Sequence, residues 1–220
     1  MQYLPLQIII SCFIGYLLGT SNMAYYIAKI KKIDLRSSGS GNLGASNAVI
    51  MLGKKAGILT FIHDAGKTVL SVFLVGLLFP DSEFLHILAG IASIYGHIFP
   101  FYLKFKGGKG FASYMGLLLA IDWRLFLITF VCAVLITIIT DYIVFGTMSV
   151  TILTPIIAYF LTNNIIASAT MYLATAIIIW KHRENFVKIK NKTEIGFQEA
   201  VFKKKRKKII KTLYKHWHSC

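Results

Sequence analysis

The sequence predicts an all-α, polytopic membrane protein with seven transmembrane helices, its N-terminus outside the cell and its C-terminus in the cytoplasm. Hydrophobic residues make up 56% of the 220 residues and charged residues only 15%, with a mean hydropathy of +0.65. A soluble domain of this length cannot bury so much apolar surface. The apolar residues gather in long stretches, and the basic residues are confined almost entirely to alternate loops between them. Together these observations indicate one membrane domain.

Seven stretches of the chain are candidates for crossing the bilayer, for which about 20 apolar residues suffice. The first could be taken for the apolar region of a signal peptide. No basic leader precedes it, however, and it continues through MAYYIAKI, so we expect it to be retained. The fourth is too short to cross the bilayer unaided and must be shielded by neighbouring helices. The stretches lie at about 4–30, 56–80, 84–103, 110–121, 125–140, 142–162 and 165–181.

The distribution of lysine and arginine predicts the orientation of these helices. Of the 24 basic residues, six lie within 29–55, three within 104–109 and thirteen from position 181 onward. With seven spans all three groups fall on one side, and the basic side of a membrane protein is cytoplasmic. We expect a membrane domain over 1–200 and a basic cytoplasmic tail over 201–220. That tail contains KKKRKK, for which the anionic lipid surface is a better partner than nucleic acid.

The first basic loop contains Gly39-x-Gly41-x-x-Gly44, the letters of a dinucleotide-binding fingerprint. That fingerprint requires a preceding strand and a surrounding βαβ unit, whereas this loop follows a membrane span. Glycines so spaced can let backbone N–H groups converge on an anion. The alternative is a flexible connector, and the loop alone favours neither. Side chains beside the glycines that could add hydrogen bonds are Ser40, Asn42, Ser46 and Asn47.

The second basic loop carries Lys106-Gly107-Gly108-Lys109 just before the fourth apolar stretch. Paired glycines between lysines at a helix N-terminus offer backbone donors, the helix dipole and positive charge to one anion. The motif is not a Walker A loop, because no Ser or Thr follows Lys109. The alternative is a pair of lysines that extend along the membrane surface.

The third basic segment places His182, Asn185 and Lys188 three residues apart, so they share one face of a helix. A histidine, an amide and a cation on one face can hold and polarise a phosphate-bearing substrate, although the same residues also suit a solvated helix end. Asp64 and Lys67 have the same spacing inside the second apolar stretch. Ionisable groups in such a stretch usually face the bundle interior and pair, for a structural or a catalytic purpose.

Three blocks occur in order along the chain: SGSGNLGASN with LGKKAG after it, then GHIFPFYLKFKGGKG, then His-x-x-Asn followed by Thr-Glu. With Asp-x-x-Lys between the first two, the chain resembles the bacterial acyl-phosphate:glycerol-3-phosphate acyltransferases, the PlsY family. The resemblance implies a seven-helix protein of the bacterial plasma membrane, with these motifs on the cytoplasmic side. It implies transfer of a fatty acyl chain from acyl phosphate to the 1-hydroxyl of glycerol 3-phosphate, making lysophosphatidic acid for phospholipid synthesis.

The resemblance also implies the partners and the site residues. The partners are the two substrates, membrane lipids and the enzyme that makes acyl phosphate, with no cofactor, metal or nucleic acid. It leaves open whether His182 or the substrate's own phosphate takes the hydroxyl proton. The implied catalytic residues are Ser40, His182 and Asn185, and the implied substrate-binding and phosphate-binding residues are Gly39, Gly41, Asn42, Gly44, Ser46, Asn47, Lys106, Gly107, Gly108, Lys109 and Lys188.

The chain departs from the family pattern at several of these places. Ile50 stands where the family has an arginine, and an isoleucine cannot bind phosphate. Lys188 replaces an arginine and keeps its charge but not its two-pronged geometry. Two alternatives therefore remain beside the leading function: an acyltransferase with another acceptor hydroxyl, and a non-catalytic protein that binds acyl phosphate or lipid. The other departures are Ser46 for threonine, Lys192 for glycine, and Asp141 and Val144 for arginine and serine.

Overall fold

A computed structural model describes residues 3–202, all of whose regular elements are helices. The predicted tail, including KKKRKK, lies almost entirely outside the described residues. A 3-10 turn covers Phe101–Leu103. The α-helices are α1 Leu4–Thr20, α2 Met23–Ile30, α3 Ala45–Leu52, α4 Lys54–Leu78, α5 Glu83–Ile98, α6 Phe111–Ile121, α7 Trp123–Thr140, α8 Ile143–Thr162, α9 Ile165–Lys190 and α10 Phe197–Phe202.

The described chain has the helices of an integral membrane protein. Five stretches within 3–202 are long and apolar enough to cross a bilayer: Leu4–Ile30, Lys54–Leu78, Glu83–Leu103, Trp123–Thr140 and Ile143–Leu161. This confirms the all-α membrane class, while the count of seven spans and the orientation stay predictions. The seventh predicted stretch ends at 181, yet α9 continues to Lys190. Polar residues end an apolar stretch without ending a helix, because lysine, arginine and glutamate are good helix formers.

The short helix α6 is enclosed by its neighbours, as its length requires. It has 11 residues, and those from Ala112 to Leu118 are all buried. Its contacts are with α4, α5 and α7, and its side chains belong to the largest apolar core of the bundle. The backbone of a helix this short is thereby kept away from lipid, which could not satisfy its free ends.

Glycines allow several of the helices to touch backbone to backbone. A Cβ atom added at Gly15 or Gly19 of α1 would overlap the carbonyl oxygens of Ala89 or Ser93 on α5. Gly116 of α6 lies equally close to the Ala65 carbonyl of α4. Small residues at such crossings increase packing contact between helices that gain little from the hydrophobic effect in lipid.

The first long apolar stretch is broken at Ser21 and Asn22, between α1 and α2. The Asn22 side chain accepts a hydrogen bond from Tyr25 N at 2.8 Å and donates one to Leu43 O at 3.0 Å. Lys67 of α4 donates to the Ser21 carbonyl at 2.6 Å. Side chains thus satisfy the polar groups of the break and tie it to the first basic loop.

Lys67 also confirms the predicted pairing inside the bundle. Its Nζ lies 3.2 Å from Oδ1 of Asp64 and 3.0 Å from Nδ1 of His97 on α5. All three side chains are buried. We refer to Asp64, Lys67 and His97 as the buried charge cluster.

Adding one methyl group at Gly116 should destabilise the bundle. The Cβ of Gly116→Ala would overlap the backbone of Ala65, which can yield only if α6 moves. We expect a loss of about 1–3 kcal/mol, the usual range for overpacking, seen as a lower unfolding temperature in detergent by tryptophan fluorescence. The matched control is Gly66→Ala, where a Cβ meets no atom within 4 Å. Equal unfolding temperatures for the two variants would contradict this packing.

Candidate active site

A cavity of about 490 Å³ opens among the loops and helices that carry the sequence motifs. Its volume is within the usual range of small-molecule sites. The polar part of the lining consists of Ser40, Asn42, Ser46, Asp64, His97, Lys109, Thr147, His182, Asn185 and Glu194. The rest is mainly apolar and comes from α3, α4, α6, α7, α8 and α10, with Phe61, Phe130 and Ile143 among its side chains. The cavity therefore suits a ligand with a charged head and an apolar chain.

The first basic loop is shaped by the buried side chain of Asn47. Its Nδ2 donates to the carbonyl oxygens of Leu35 at 2.9 Å, Ser38 at 3.1 Å and Asn42 at 2.9 Å, and its Oδ1 accepts from Ser40 N at 2.8 Å. The amide of Asn47 is thus fully used inside the loop. Asn47 lies outside the cavity lining, contrary to the expectation that it would face a substrate.

Two glycines turn this loop without lining the cavity. Gly39 and Gly41 have φ values of +62° and +75°, where a side chain would be strained, and a Cβ at Gly39 would also overlap Asn47 Oδ1. The Gly41 N–H donates to Ser38 O at 3.1 Å. The N–H groups of Ser40 and Gly41 are two donors of the expected anion-binding nest, and both are already hydrogen-bonded within the loop. Gly44, at the N-terminus of α3, does line the cavity.

The second basic loop is folded against the end of α5. Gly107 N donates to Ile98 O at 3.0 Å, and Gly108 N donates to His97 O at 3.1 Å. A Cβ at Gly107 would overlap the His97 carbonyl, and one at Gly108 would overlap the His97 ring. The two glycines permit this close packing and satisfy carbonyls at a helix end. Their N–H groups are therefore hydrogen-bonded within the protein. This is contrary to the expectation from the sequence that they would bind a phosphate.

Only one lysine of the second loop reaches the cavity. Lys106 is exposed and lies outside the lining, whereas Lys109 is half-buried and inside it. Lys109 Nζ donates to Oδ1 of Asn185, and Asn185 Nδ2 donates to Oε1 of Glu194 at 2.6 Å. Burial lowers the pKa of Lys109 to about 8, against the opposing attraction of Glu194. The side chain is still mostly protonated at neutral pH, so it brings a positive charge into the cavity.

His182 is buried just beyond the seventh predicted stretch and also lines the cavity. Its Nδ1 donates to the Ile178 carbonyl at 2.8 Å, which leaves Nε2 as the acceptor nitrogen of a neutral ring. Burial lowers the pKa of His182 to about 4, and the nearby charge of Lys109 acts in the same direction. The ring is a hydrogen-bond acceptor at neutral pH and only a weak base.

The remaining predicted residue, Lys188, acts between elements. Its Nζ donates to the Ser40 carbonyl at 3.2 Å, so it joins α9 to the first basic loop from outside the lining. Glu194 is a lining residue that was missing from the predicted site, although the Thr-Glu pair of the third block contains it. Across residues 3–202, no three His, Cys, Asp or Glu side chains gather as a metal ion would require.

Several of the departures from the family pattern lie at or beside this cavity. Ile50 and Val144 are lining residues, so both present apolar surface to its contents. Asp141, in the turn between α7 and α8, accepts hydrogen bonds from Phe197 N at 2.7 Å through its carbonyl and from Gln198 N at 2.8 Å through Oδ1. Asp141 thereby holds the start of α10 beside the cavity.

Comparison with known proteins gives consistent matches. The family model described as glycerol-3-phosphate acyltransferase matches residues 9–192. A glycerol-3-phosphate acyltransferase of Prochlorococcus marinus (strain MIT 9301) is 34% identical over 184 residues, which are 82% of this chain and 93% of the relative.

Solved structures agree with the sequence matches. The crystal structure of PlsY (YgiH), an integral membrane glycerol 3-phosphate acyltransferase, in its glycerol 3-phosphate form superposes with a TM-score of 0.82 at 30% identity. That match covers 87% of this chain and 96% of the other. The lysophosphatidic acid form gives a TM-score of 0.77 at 29% identity, covering 89% and 98%.

Replacement of Asn47 by aspartate should loosen the first basic loop. The carboxylate keeps the acceptor for Ser40 N but removes the donors to Leu35, Ser38 and Asn42. We expect amide hydrogen exchange across 38–44 to accelerate by about tenfold or more, since each buried carbonyl left without a donor costs about 1–3 kcal/mol. Mass-spectrometric exchange in detergent measures this. Ser37→Ala, at an exposed position of the same loop, is the control, and an unchanged rate in Asn47→Asp would show that Asn47 does not order the loop.

Proposed function

This chain belongs to the glycerol-3-phosphate acyltransferase family, and we propose that it moves a fatty acyl chain from acyl phosphate to the 1-hydroxyl of glycerol 3-phosphate. One observation carries the proposal: a single cavity joins a polar part containing Lys109 and His182 to an apolar part lined by Phe61 and Phe130. A donor with a phosphate head and a fatty tail has this distribution of polarity. The similar PlsY structure has a glycerol 3-phosphate form, which supports glycerol 3-phosphate as the acceptor. Its lysophosphatidic acid form supports lysophosphatidic acid as the product.

The donor phosphate is assigned to the neighbourhood of Lys109. Among the described lining residues this is the one lysine, and no arginine joins it. A cation in a partly water-excluded site attracts a phosphate more strongly than one at the surface. The acyl chain then extends along the side chains of α4, α7 and α8 that line the cavity. Ser40, Asn42 and Ser46 remain to hydrogen-bond the acceptor.

The reaction needs positioning more than strong acid or base catalysis. The acceptor hydroxyl oxygen forms a bond to the carbonyl carbon, the bond from that carbon to the phosphate oxygen breaks, and phosphate leaves with the bonding electrons. Nε2 of His182 accepts the hydrogen bond of the attacking hydroxyl and orients it. With a pKa of about 4 the ring does not retain the proton. A phosphate monoester, whose second pKa is about 6, is the better final acceptor. We therefore assign the proton to a substrate phosphate and the orientation to His182.

The same proposal includes the setting of the enzyme. In the proposed topology of seven spans, the basic loops lie on the cytoplasmic side of the membrane. The polar part of the cavity then opens to the cytoplasm, which supplies glycerol 3-phosphate. Five stretches within 3–202 are long and apolar enough to cross the membrane, and helices α6 and α9 supply the other two spans of the proposed seven. The host membrane is the bacterial plasma membrane. The donor comes from an enzyme that makes acyl phosphate, and the tail contacts anionic lipid.

Turnover in a defined system tests the function. The full chain is purified, placed in lipid vesicles and supplied with acyl phosphate and glycerol 3-phosphate. We expect lysophosphatidic acid and inorganic phosphate in equal amounts, and phosphate release that depends on glycerol 3-phosphate. Vesicles without protein are the blank, and other polyols presented one at a time test the alternative acceptors that Ile50 raises. No product above the blank would overturn the proposal.

Removing the imidazole should slow the reaction at constant substrate binding. In His182→Ala no group is left at this position to orient the hydroxyl, so we expect kcat to fall by about 100-fold or more with little change in KM for the donor. Steady-state kinetics in the same vesicles measures both constants. Arg183→Ala, an exposed neighbour on the same helix, is the control. A kcat within threefold of the unmodified protein would show that His182 does not orient the attacking hydroxyl.

Deprotonation of Lys109 should weaken use of the donor at alkaline pH. Lys109 is charged below its pKa of about 8 and neutral above it, so the positive charge that holds phosphate is lost as pH rises. We expect kcat/KM for acyl phosphate to fall by about tenfold per pH unit above pH 8, measured between pH 7 and 9.5 with spontaneous hydrolysis subtracted.

Two variants give this pH profile its controls. Lys109→Arg keeps a charge that does not titrate in this range, so its fall near pH 8 should disappear. Lys106→Ala changes the exposed lysine outside the lining and should keep the unmodified profile. A profile altered by Lys106→Ala and unaltered by Lys109→Arg would reverse the assignment of the two lysines.

A further inference from the structure

Helix α10 lies beyond the matched family region and forms part of the cavity wall. The family model ends at residue 192, whereas α10 covers Phe197–Phe202. Phe197, Ala200 and Val201 are half-buried lining residues, and Gln198 and Glu199 between them are exposed. One side of this short helix therefore faces the cavity and the other faces outward.

Several independent contacts hold α10 in this position. Asp141 accepts hydrogen bonds from the first two backbone N–H groups of the helix. Gly196 fits so closely against Asp141 that a Cβ there would overlap its Oδ2. At the other end, Nζ of Lys54 lies 5.0 Å from the ring centroid of Phe202, a cation–π contact. Helix α10 also packs against α3 and α7.

The location of these contacts shows which side of the cavity α10 covers. Helix α3, the start of α4 and the turn between α7 and α8 all belong to the end of the bundle that carries the basic loops. The polar lining residues lie at this same end, since Lys109 and Glu194 belong to its loops. The side chains of α10 that line the cavity at this end, Phe197, Ala200 and Val201, are all apolar.

We infer that α10 is a specificity element of the enzyme, in which Phe197 and Val201 favour the acceptor hydroxyl over water. This inference rests on the proposed function. An acyl phosphate is a mixed anhydride that water can also attack: the water oxygen bonds to the carbonyl carbon, phosphate leaves, and the products are a fatty acid and inorganic phosphate. Apolar side chains over the cavity lower the amount of water at the carbonyl during the lifetime of the bound donor.

The ratio of fatty acid to lysophosphatidic acid measures this choice of nucleophile. The unmodified chain in vesicles, given acyl phosphate and saturating glycerol 3-phosphate, should form mainly lysophosphatidic acid. The double variant Phe197→Ala with Val201→Ser should raise the ratio by about tenfold, because the wall is opened and made polar. Gly196→Ala, which displaces α10 from Asp141 without changing any lining side chain, should raise the ratio in the same direction.

The controls separate this inference from folding and from the proposed function. Gln198→Ala changes the outward side of α10 and should leave the ratio unchanged. Unfolding temperatures in detergent within a few degrees of the unmodified chain, as measured for each variant, establish that the bundle is intact. If both wall variants make lysophosphatidic acid with an unchanged ratio, this inference is wrong and the proposed function stands. If the unmodified chain makes no lysophosphatidic acid, both are overturned.

Discussion

The structure depends on a charged interaction placed where charge is costly. Asp64, Lys67 and His97 are buried on two helices that are long and apolar enough to cross a membrane, and neither Asp64 nor Lys67 would be stable there alone. The 3.2 Å ion pair between them compensates part of the desolvation. Lys67 then reaches the carbonyl of Ser21, so the cluster connects the broken first stretch to α4 and α5. Removing one partner would leave an uncompensated charge inside the bundle.

Both basic loops are supported from this cluster. His97 supplies its carbonyl and its ring as the surface on which Gly107 and Gly108 pack, which fixes the point where Lys109 enters the cavity. On the other side, Asn22 in the break donates to Leu43 at the end of the first loop. The groups that position the polar residues of the cavity thus include Asn22 and Lys67, which lie outside its lining. Asp64 and His97 belong to the same network and also line the cavity. Support of lining residues by a buried hydrogen-bond network is typical of sites in which geometry is the main contribution to rate.

The sequence predicted the parts of this arrangement that follow from local pattern. Apolar length predicted the helices, and a spacing of three predicted that His182 and Asn185 share a face, as both line the cavity. The pairing of Asp64 with Lys67 followed from the same spacing. The sequence could not distinguish Lys106 from Lys109, or assign Asn47 to the loop, because those outcomes depend on contacts between residues distant in sequence. Helix α10 was missed for a related reason: its six residues have no strong pattern, and a turn more than fifty residues earlier holds them.

Asn185 shows how the geometry changes the role of a predicted catalytic residue. Its Oδ1 accepts from Lys109 and its Nδ2 donates to Glu194, so the acceptor and a donor of its side chain are engaged with protein. Glu194 fixes which way the amide points, because a carboxylate can only accept. The carbonyl oxygen of Asn185 therefore faces the lysine and holds its ammonium group in the cavity. A direct Glu194–Lys109 pair would neutralise the charge that a phosphate needs. The amide of Asn185 lies between them, so it holds the Lys109 ammonium group in position and leaves most of its charge available. Asn185 therefore acts on the substrate through Lys109.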